Sequence, residues 1–188
     1  MAHALVIGGT GMLSGMVIEL LDSFGKVTVS ARNKKGFDRL KRSAGRNSSK
    51  LSFIQIDYND YKELTKCLLK AVQDHGEFTL AVLWIHSSAK LAPLITAKVI
   101  NETSRSCKFF EILGSAGSAP GIVATERTSE FRDFSNIEYQ SITLGFVIEK
   151  EGSRWLTDKE ISDGVTNALK NNYRKHVVGV TEPWDEHP

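Results

Sequence analysis

Glycines and small polar side chains crowd one short segment near the start of the chain, which reads GGTGMLSG over Gly8–Gly15. Glycine lets bare backbone approach a ligand closely, and the N–H groups at the start of a helix attract phosphate. Gly8 and Gly11 are spaced for a tight turn followed by such an approach. The segment therefore predicts a phosphate-binding loop. The residues assigned to it are Gly8, Gly9, Thr10, Gly11, Met12 and Leu13.

A second, basic segment bears on which dinucleotide such a loop would hold. An acidic side chain about 20 residues beyond the glycines binds the free 2′-hydroxyl of NAD. The corresponding segment here, Ser30–Lys35, reads SARNKK and holds no acid. A guanidinium makes a bidentate contact to a 2′-phosphate, and lysine adds charge. We expect NADP(H) to be preferred over NAD(H), although basic residues on a surface loop are also commonplace. The residues assigned to this contact are Ser30, Arg32, Asn33 and Lys34.

These segments need a scaffold, and the hydrophobic pattern predicts one. Aliphatic runs of strand length alternate with segments of helical period, as in βαβ units of a parallel sheet. We predict an α/β fold with a Rossmann-like, doubly wound, mainly parallel sheet of about seven strands in three layers. Residues 1–188 would form a single NAD(P)-binding domain.

The predicted elements follow the apolar periodicity along the chain. The strands are His3–Gly8, Lys26–Ala31, Leu51–Ile56, Leu80–Ile85, Phe109–Leu113, Gln140–Ile148 and His176–Val180. The helices are Met12–Phe24, Phe37–Ala44, Asp60–His75, Pro93–Thr103 and one opened by the capping box Thr157-x-x-Glu160. A loop over Ser115–Thr125 and a short polar helix over Glu126–Phe134 separate the fifth and sixth strands.

Composition narrows the classes of function. The chain has 188 residues with 24 Lys and Arg against 22 Asp and Glu, and this balance does not indicate nucleic-acid binding. No apolar run reaches the ~18 residues of a membrane span, and the N-terminus lacks the basic region of a signal peptide. Cys67 and Cys107 lack metal-ligand spacing. We expect a cytoplasmic protein that acts on a small molecule, binds no metal, membrane or nucleic acid, and is compatible with a homo-oligomer.

The glycine pattern resembles one family in particular. The segment TGMLSG over 10–15 is similar to the cofactor loop of the short-chain dehydrogenase/reductase superfamily, and the GGTG opening resembles its atypical members. The resemblance implies that Asp57, after strand three, contacts the adenine amino group, and Tyr58 is assigned beside it. A helix-capping role for Asp57 is the alternative. The resemblance also implies a segment beside the cofactor ribose after strand four. Here that segment is His86, Ser87 and Ser88.

A proton donor is harder to place. In better-known members of the superfamily, a Tyr-x-x-x-Lys pair and a serine at the end of strand five supply the proton for carbonyl reduction. Ser115 matches the serine, but residues 116–135 contain neither tyrosine nor lysine. The string also occurs at Tyr58-x-x-x-Lys62, which lies on the adenine side. The candidate catalytic residues are therefore His86, which can donate a proton near neutral pH, and Ser115. Alternatively, His86 only forms hydrogen bonds.

Two hypotheses of different class follow. The first is an NADP(H)-dependent oxidoreductase of the atypical short-chain dehydrogenase/reductase type that acts on an unknown small substrate. It needs little protein chemistry, because the cofactor carries the hydride and the protein mainly positions it. The second is a non-catalytic NADP(H)-binding redox sensor or regulatory protein, which the missing Tyr/Lys pair favours. An enzyme acting on another nucleotide-bearing ligand is a weaker third interpretation.

Overall fold

The computed structural model describes residues 2–86, 88–114 and 127–188 of the chain. The strands are β1 (His3–Ile7), β2 (Lys26–Ala31), β3 (Leu51–Gln55), β4 (Phe78–Leu83), β5 (Cys107–Leu113), β6 (Ile137–Leu144), β7 (Phe146–Glu149), β8 (Gly152–Trp155) and β9 (Lys175–Val178). The helices are α1 (Ser14–Ser23), α2 (Lys34–Ser43), α3 (Tyr61–His75), α4 (Ala92–Thr103) and α5 (Asp158–Asn171). Short 3-10 turns cover Gly45–Lys50 and Trp184–Glu186.

The central sheet has seven strands in the order β3-β2-β1-β4-β5-β6-β9, and every neighbouring pair is parallel. The chain winds outward from β1 through β2 to β3, then crosses back to β4 and continues to the other edge. In open α/β sheets, ligands bind at the carboxyl ends of the strands where this reversal occurs. The switch point lies between β1 and β4, and the predicted α/β fold is confirmed.

Helices cover both faces of the sheet, which explains why β1 is buried at all five positions. Ala4 and Val6 of β1 point into a core shared with α1, α2 and α5. Leu5 and Ile7 point into a second core shared with α3, α4 and the segment 127–134. The alternation of side chains along a strand therefore produces the three predicted layers.

The sixth predicted strand, Gln140–Ile148, is wrong as one element. The sheet strand β6 stops at Leu144, and after Gly145 the chain turns into the antiparallel hairpin of β7 and β8. A Cβ on Gly145 would lie 2.0 Å from the carbonyl oxygen of Val180, because Phe146 and Val180 exchange two backbone hydrogen bonds of 2.9 Å. Gly145 and Val180 are 35 positions apart, so the apolar pattern around Gly145 does not indicate this contact.

The region between β5 and β6 is described only from residue 127 onward. The predicted loop over Ser115–Thr125 lies outside the described residues, and a helical turn over 127–130 falls within the predicted helix Glu126–Phe134. In the part of the chain that the structure describes, no helix is both long and apolar enough to cross a bilayer. The same residues contain no group of His, Cys, Asp and Glu arranged to hold a metal ion.

Candidate cofactor site

The glycine-rich loop follows β1 directly, and its first two glycines serve the backbone and the core. Gly8 has a φ of +82°, which favours glycine, and its N–H donates to the Ser30 carbonyl at 2.9 Å. A Cβ at this position would lie 2.4 Å from the Trp84 carbonyl oxygen. Gly9 is buried, and its Cβ would approach Cγ1 of Val6 to 2.8 Å. Gly8 thus permits the turn, and Gly9 lets the loop sit on the core.

The rest of the loop presents unpaired N–H groups at the start of α1. In the described residues, the N–H groups of Thr10, Gly11, Met12 and Leu13 have no protein acceptor. Gly11 is exposed, and nothing lies within 4 Å of where its Cβ would be. Orphan donors at a helix N-terminus, where the helix dipole is positive, form an anion site. The loop therefore fits a pyrophosphate group.

Helix α2 brings the basic segment against this loop. It begins at Lys34 and not at the predicted Phe37, because the Asn33 side chain accepts a hydrogen bond of 2.8 Å from the Lys35 N–H and caps the helix. A Cβ on Gly36 would lie 2.9 Å from Oγ1 of Thr10, so the first turn of α2 packs directly on the loop. Asn33 thus serves as a cap, and the N-terminus of α2 becomes a second positive feature of the site.

Arg32 and Lys34 flank this cap and are exposed. Ser30 is fully buried at the end of β2, and its Oγ has no hydrogen-bond partner in the described residues. Buried hydroxyls are normally paired, so this Oγ is an exception among the described residues. The Ser30 carbonyl already anchors Gly8, which makes the end of β2 part of the loop's support.

Asp57 lies across from Arg32 and does not cap a helix. Its carboxylate accepts hydrogen bonds from the N–H and side chain of Asn59 at 3.0 and 2.8 Å. These bonds, with the charge of Arg32 added, lower the pKa of Asp57 below its usual value. The cap of α3 is Asp60, which accepts from the Glu63 N–H at 3.0 Å. The structure therefore assigns the cap of α3 to Asp60 and leaves Asp57 bonded to Asn59 just after β3.

Tyr58 and His86 meet across the crevice, which the sequence did not predict. The Tyr58 hydroxyl accepts a hydrogen bond of 3.3 Å from the His86 backbone N–H, although the two residues follow β3 and β4. The His86 Nδ1 lies 3.4 Å from the Ser88 N–H and 3.3 Å from its Oγ. Because a backbone N–H only donates, Nδ1 accepts, and the ring proton is on Nε2. Ser87 and Ser115 lie outside the described residues.

Trp84 is a site residue that the sequence analysis missed. Its Cβ and Cδ1 lie 3.2 and 3.3 Å from the position of a Cβ on Gly8, and its Cη2 lies 3.2 Å from that of Gly114. The indole therefore extends along the carboxyl edge of the sheet, from the end of β1 to the end of β5. Glycines just after two strand ends were the signal, since both make room for this ring.

A polar cluster joins β5, β6 and the segment that begins at residue 127. The Glu111 carboxylate accepts from the Tyr139 hydroxyl at 2.8 Å and from Arg127 at 2.5 Å. Burial, and then the Glu111 charge, raise the pKa of Tyr139 far above its usual value. Tyr139 also stacks on Phe131, with ring centroids 4.2 Å apart. The Tyr139 hydroxyl is therefore held as a hydrogen-bond donor to Glu111.

No protein-family model matches the sequence, and no curated protein matches it. Solved structures do match its fold. A short-chain dehydrogenase/reductase from Serratia marcescens has a TM-score of 0.72 at 14% identity, with 95% of this chain and 96% of that chain covered. An alcohol dehydrogenase from Thermococcus sibiricus, complexed with 5-hydroxy-NADP, has a TM-score of 0.72 at 12% identity, with 95% of each chain covered.

A metagenomic short-chain oxidoreductase in complex with NADP has a TM-score of 0.69 at 14% identity, covering 95% of this chain and 96% of that chain. Identities this low establish architecture and leave chemistry to the residues of the site. The switch-point crevice, the glycine loop on α1 and these structures together show that the chain has the Rossmann fold of the short-chain dehydrogenases/reductases.

Proposed function

We propose that this chain is a single-domain, NADP(H)-dependent oxidoreductase of the atypical short-chain dehydrogenase/reductase type that acts on a small, unidentified substrate. The observation that carries the proposal is that two positive features lie together: the unpaired N–H groups of the loop and the N-terminus of α2. They are in contact because Gly36 of α2 packs against Thr10 of the loop. Two of the structurally similar proteins were solved with NADP or 5-hydroxy-NADP, which supports a nicotinamide cofactor.

Each part of the cofactor has residues suited to hold it. The unpaired loop N–H groups of Thr10 to Leu13 would bind the pyrophosphate, and Arg32 and Lys34 the 2′-phosphate. Asp57 and Tyr58 would border the adenine, and the segment 86–88 the ribose. When bound, the nicotinamide supplies the hydride, so the protein must position the ring and supply a proton.

Arg32 is the residue on which the preference for NADP(H) depends. We expect NADPH to bind more tightly than NADH, and Arg32→Asp to weaken NADPH binding by about 10- to 100-fold, since a hydrogen bond to a charged group contributes about 1.5–3 kcal/mol. NADH binding should change little or improve. Fluorescence titration of both nucleotides gives the two dissociation constants.

The matched control is Arg39→Asp, which makes the same charge change on an exposed position of α2, one turn beyond its start. It should leave the ratio of the two dissociation constants unchanged. Equal affinities of the wild-type protein for NADPH and NADH would refute the proposed role of Arg32. An equal loss of NADPH affinity in Arg32→Asp and Arg39→Asp would show that only the overall charge matters.

His86 is the proposed proton donor, with Ser115 as a second candidate. The Ser88 hydroxyl, 3.3 Å from Nδ1, can rotate and accept a hydrogen bond from the Nδ1–H of a protonated ring, in place of the 3.4 Å contact that Nδ1 accepts from the Ser88 N–H. Protonated His86 then has a partner and can donate from Nε2. We expect His86→Asn to lower NADPH oxidation by about 100-fold across carbonyl and quinone substrates, with a smaller change in nucleotide affinity.

A non-catalytic NADP(H) sensor is the second candidate. It is favoured by the absence of tyrosine and lysine from residues 116–135. Micromolar NADPH binding without turnover of any carbonyl, quinone, imine or flavin would support the sensor. Turnover that is lost in His86→Asn and kept in Arg39→Asp would support the enzyme.

A further inference from the structure

Helix α1, which carries the phosphate loop at its start, has no cap of its own. Leu13 occupies the cap position and offers no side-chain acceptor, and the first turn contains no acidic residue. Most helices place Ser, Thr, Asp or Asn there, because the first N–H groups otherwise lack partners. Because Leu13 has no side-chain oxygen, the first N–H groups of α1 need an acceptor from another part of the chain.

That acceptor comes from α5, at the other end of the chain. The Met16 N–H donates a buried hydrogen bond of 2.6 Å to Oγ of Ser162, 146 positions away. Ser162 is 5% exposed. Its Oγ lies 2.7 Å from where a Cβ on Gly15 would be, so only glycine at position 15 leaves room for it. Gly15 therefore admits the hydroxyl of a second helix to the first turn of α1.

Helix α5 is held firmly enough to position this hydroxyl. Its start has a complete capping box between Thr157 and Glu160, and Arg154 of β8 donates to the same Glu160 carboxylate at 2.9 and 3.0 Å. Toward its other end, Lys170 pairs with Glu19 of α1 at 2.7 Å. Buried Ile161 and Val165 of α5 pack in the same core as Val17 of α1, and this packing holds α5 against α1.

We infer that Ser162 is a positioning residue for the pyrophosphate: it caps α1 from α5 and so orients the remaining loop N–H groups toward the phosphates. The inference rests on the proposed function for its ligand, and on the Met16 hydrogen bond and the Gly15 contact for its geometry. It assigns the glycine at position 15 to contact between helices, with no direct contact to the cofactor.

The test compares Ser162→Ala with Thr166→Val. Thr166 lies one turn further along α5 and is buried, and its Oγ1 has no partner in the described residues. We expect Ser162→Ala to weaken NADPH binding about 5-fold, since it removes a capping hydrogen bond. Thr166→Val should leave NADPH binding unchanged. Adenosine 2′-phosphate, which has no pyrophosphate, should bind both variants as it binds the wild-type protein.

Retained binding of adenosine 2′-phosphate also shows that each variant is folded. A second measurement, hydrogen exchange of the Met16 amide without nucleotide, reports the cap by itself and should become faster only in Ser162→Ala. Unchanged exchange, unchanged NADPH affinity, or an equal loss for both ligands would overturn the inference. If the wild-type protein bound neither ligand, the proposed function would fail first, and the phosphate role of Ser162 with it.

Gly15→Ala tests the contact between Gly15 and Ser162 by changing the other residue of the pair. Its Cβ would displace the Ser162 hydroxyl, so we expect a similar loss of NADPH affinity in the wild-type background. In the Ser162→Ala background, Gly15→Ala should lower NADPH affinity by a smaller factor, because the oxygen that it displaces is already absent. Additive losses would show that the two residues act independently and would contradict the inference.

Discussion

Glu111→Gln is expected to lower the free energy of unfolding by about 3 kcal/mol, because it removes the more buried of the two carboxylates that pair with Arg127, the other being Glu130. The side chains of Glu111 and Arg127 are 7% and 19% exposed, so water does little to replace the lost partner. The same change weakens the hydrogen bond that the carboxylate accepts from Tyr139. Urea unfolding of the variant and the wild-type protein measures the difference.

The chain contains a matched control for this prediction. Glu77 and Arg105 form a second carboxylate–guanidinium pair at 2.8 Å, but the Arg105 side chain is 92% exposed. Exposed pairs contribute about 0–1 kcal/mol, so Glu77→Gln should change stability by less than about 1 kcal/mol. Replacing all three buried partners, as Glu111→Leu, Arg127→Met and Tyr139→Phe together, should recover much of the loss. Equal effects of Glu111→Gln and Glu77→Gln would contradict the assignment.

Lowering the pH from about 7.5 to about 5 should reduce stability by about 2 kcal/mol through His3 alone. Burial lowers the pKa of His3 from 6.5 to about 4, and the nearby His75 and Lys26 act in the same direction. The Gly76 carbonyl accepts from Nδ1 at 2.9 Å, so Nε2 accepts from the Thr28 hydroxyl at 2.8 Å. A proton on Nε2 would require the Thr28 hydroxyl to rotate and accept this hydrogen bond, while the charged ring stayed buried.

Stability falls with pH because the unfolded chain binds a proton at His3 more readily than the folded chain does. As the pH falls below 6.5, His3 of the unfolded chain binds a proton, whereas His3 of the folded chain binds one only near pH 4. The contribution of His3 to stability is therefore complete above pH 6.5 and is lost as the pH falls from 6.5 toward 4. We expect His3→Gln to flatten the dependence of the unfolding free energy on pH in this range. An equally steep dependence in His3→Gln would show that other groups cause the loss.

Much of the fold was predictable because it depends on local patterns. Continuous aliphatic runs such as His3–Ile7 can only be buried between two layers, and helical periods between such runs require parallel strands with crossover helices. The capping box at Thr157 and Glu160 opens α5 as predicted, since both of its hydrogen bonds lie within one turn. The position of the glycine loop between β1 and α1 followed from the same reasoning.

Other features were missed, one because a local signal was overlooked and the rest because they depend on contacts between distant segments. The early start of α2 came from the Asn33 cap, a local signal that the amphipathic pattern concealed. The end of β6 at Gly145, by contrast, depends on Val180, and the place of the Trp84 indole depends on glycines at two other strand ends. Apolar periodicity describes which face of an element is buried and carries no information on its partner.

The sequence by itself determined that a glycine-rich loop lies between a buried strand and a helix, and that basic side chains follow the next strand. Glycine and charge act there through neighbouring backbone, so short spacing was enough. Only the tertiary structure decided that Ser162 caps the loop's helix and that Tyr58 reaches His86, contacts that join residues 146 and 28 positions apart. Such contacts arise when packed layers bring strand ends and helix starts to one edge, and no local pattern encodes them.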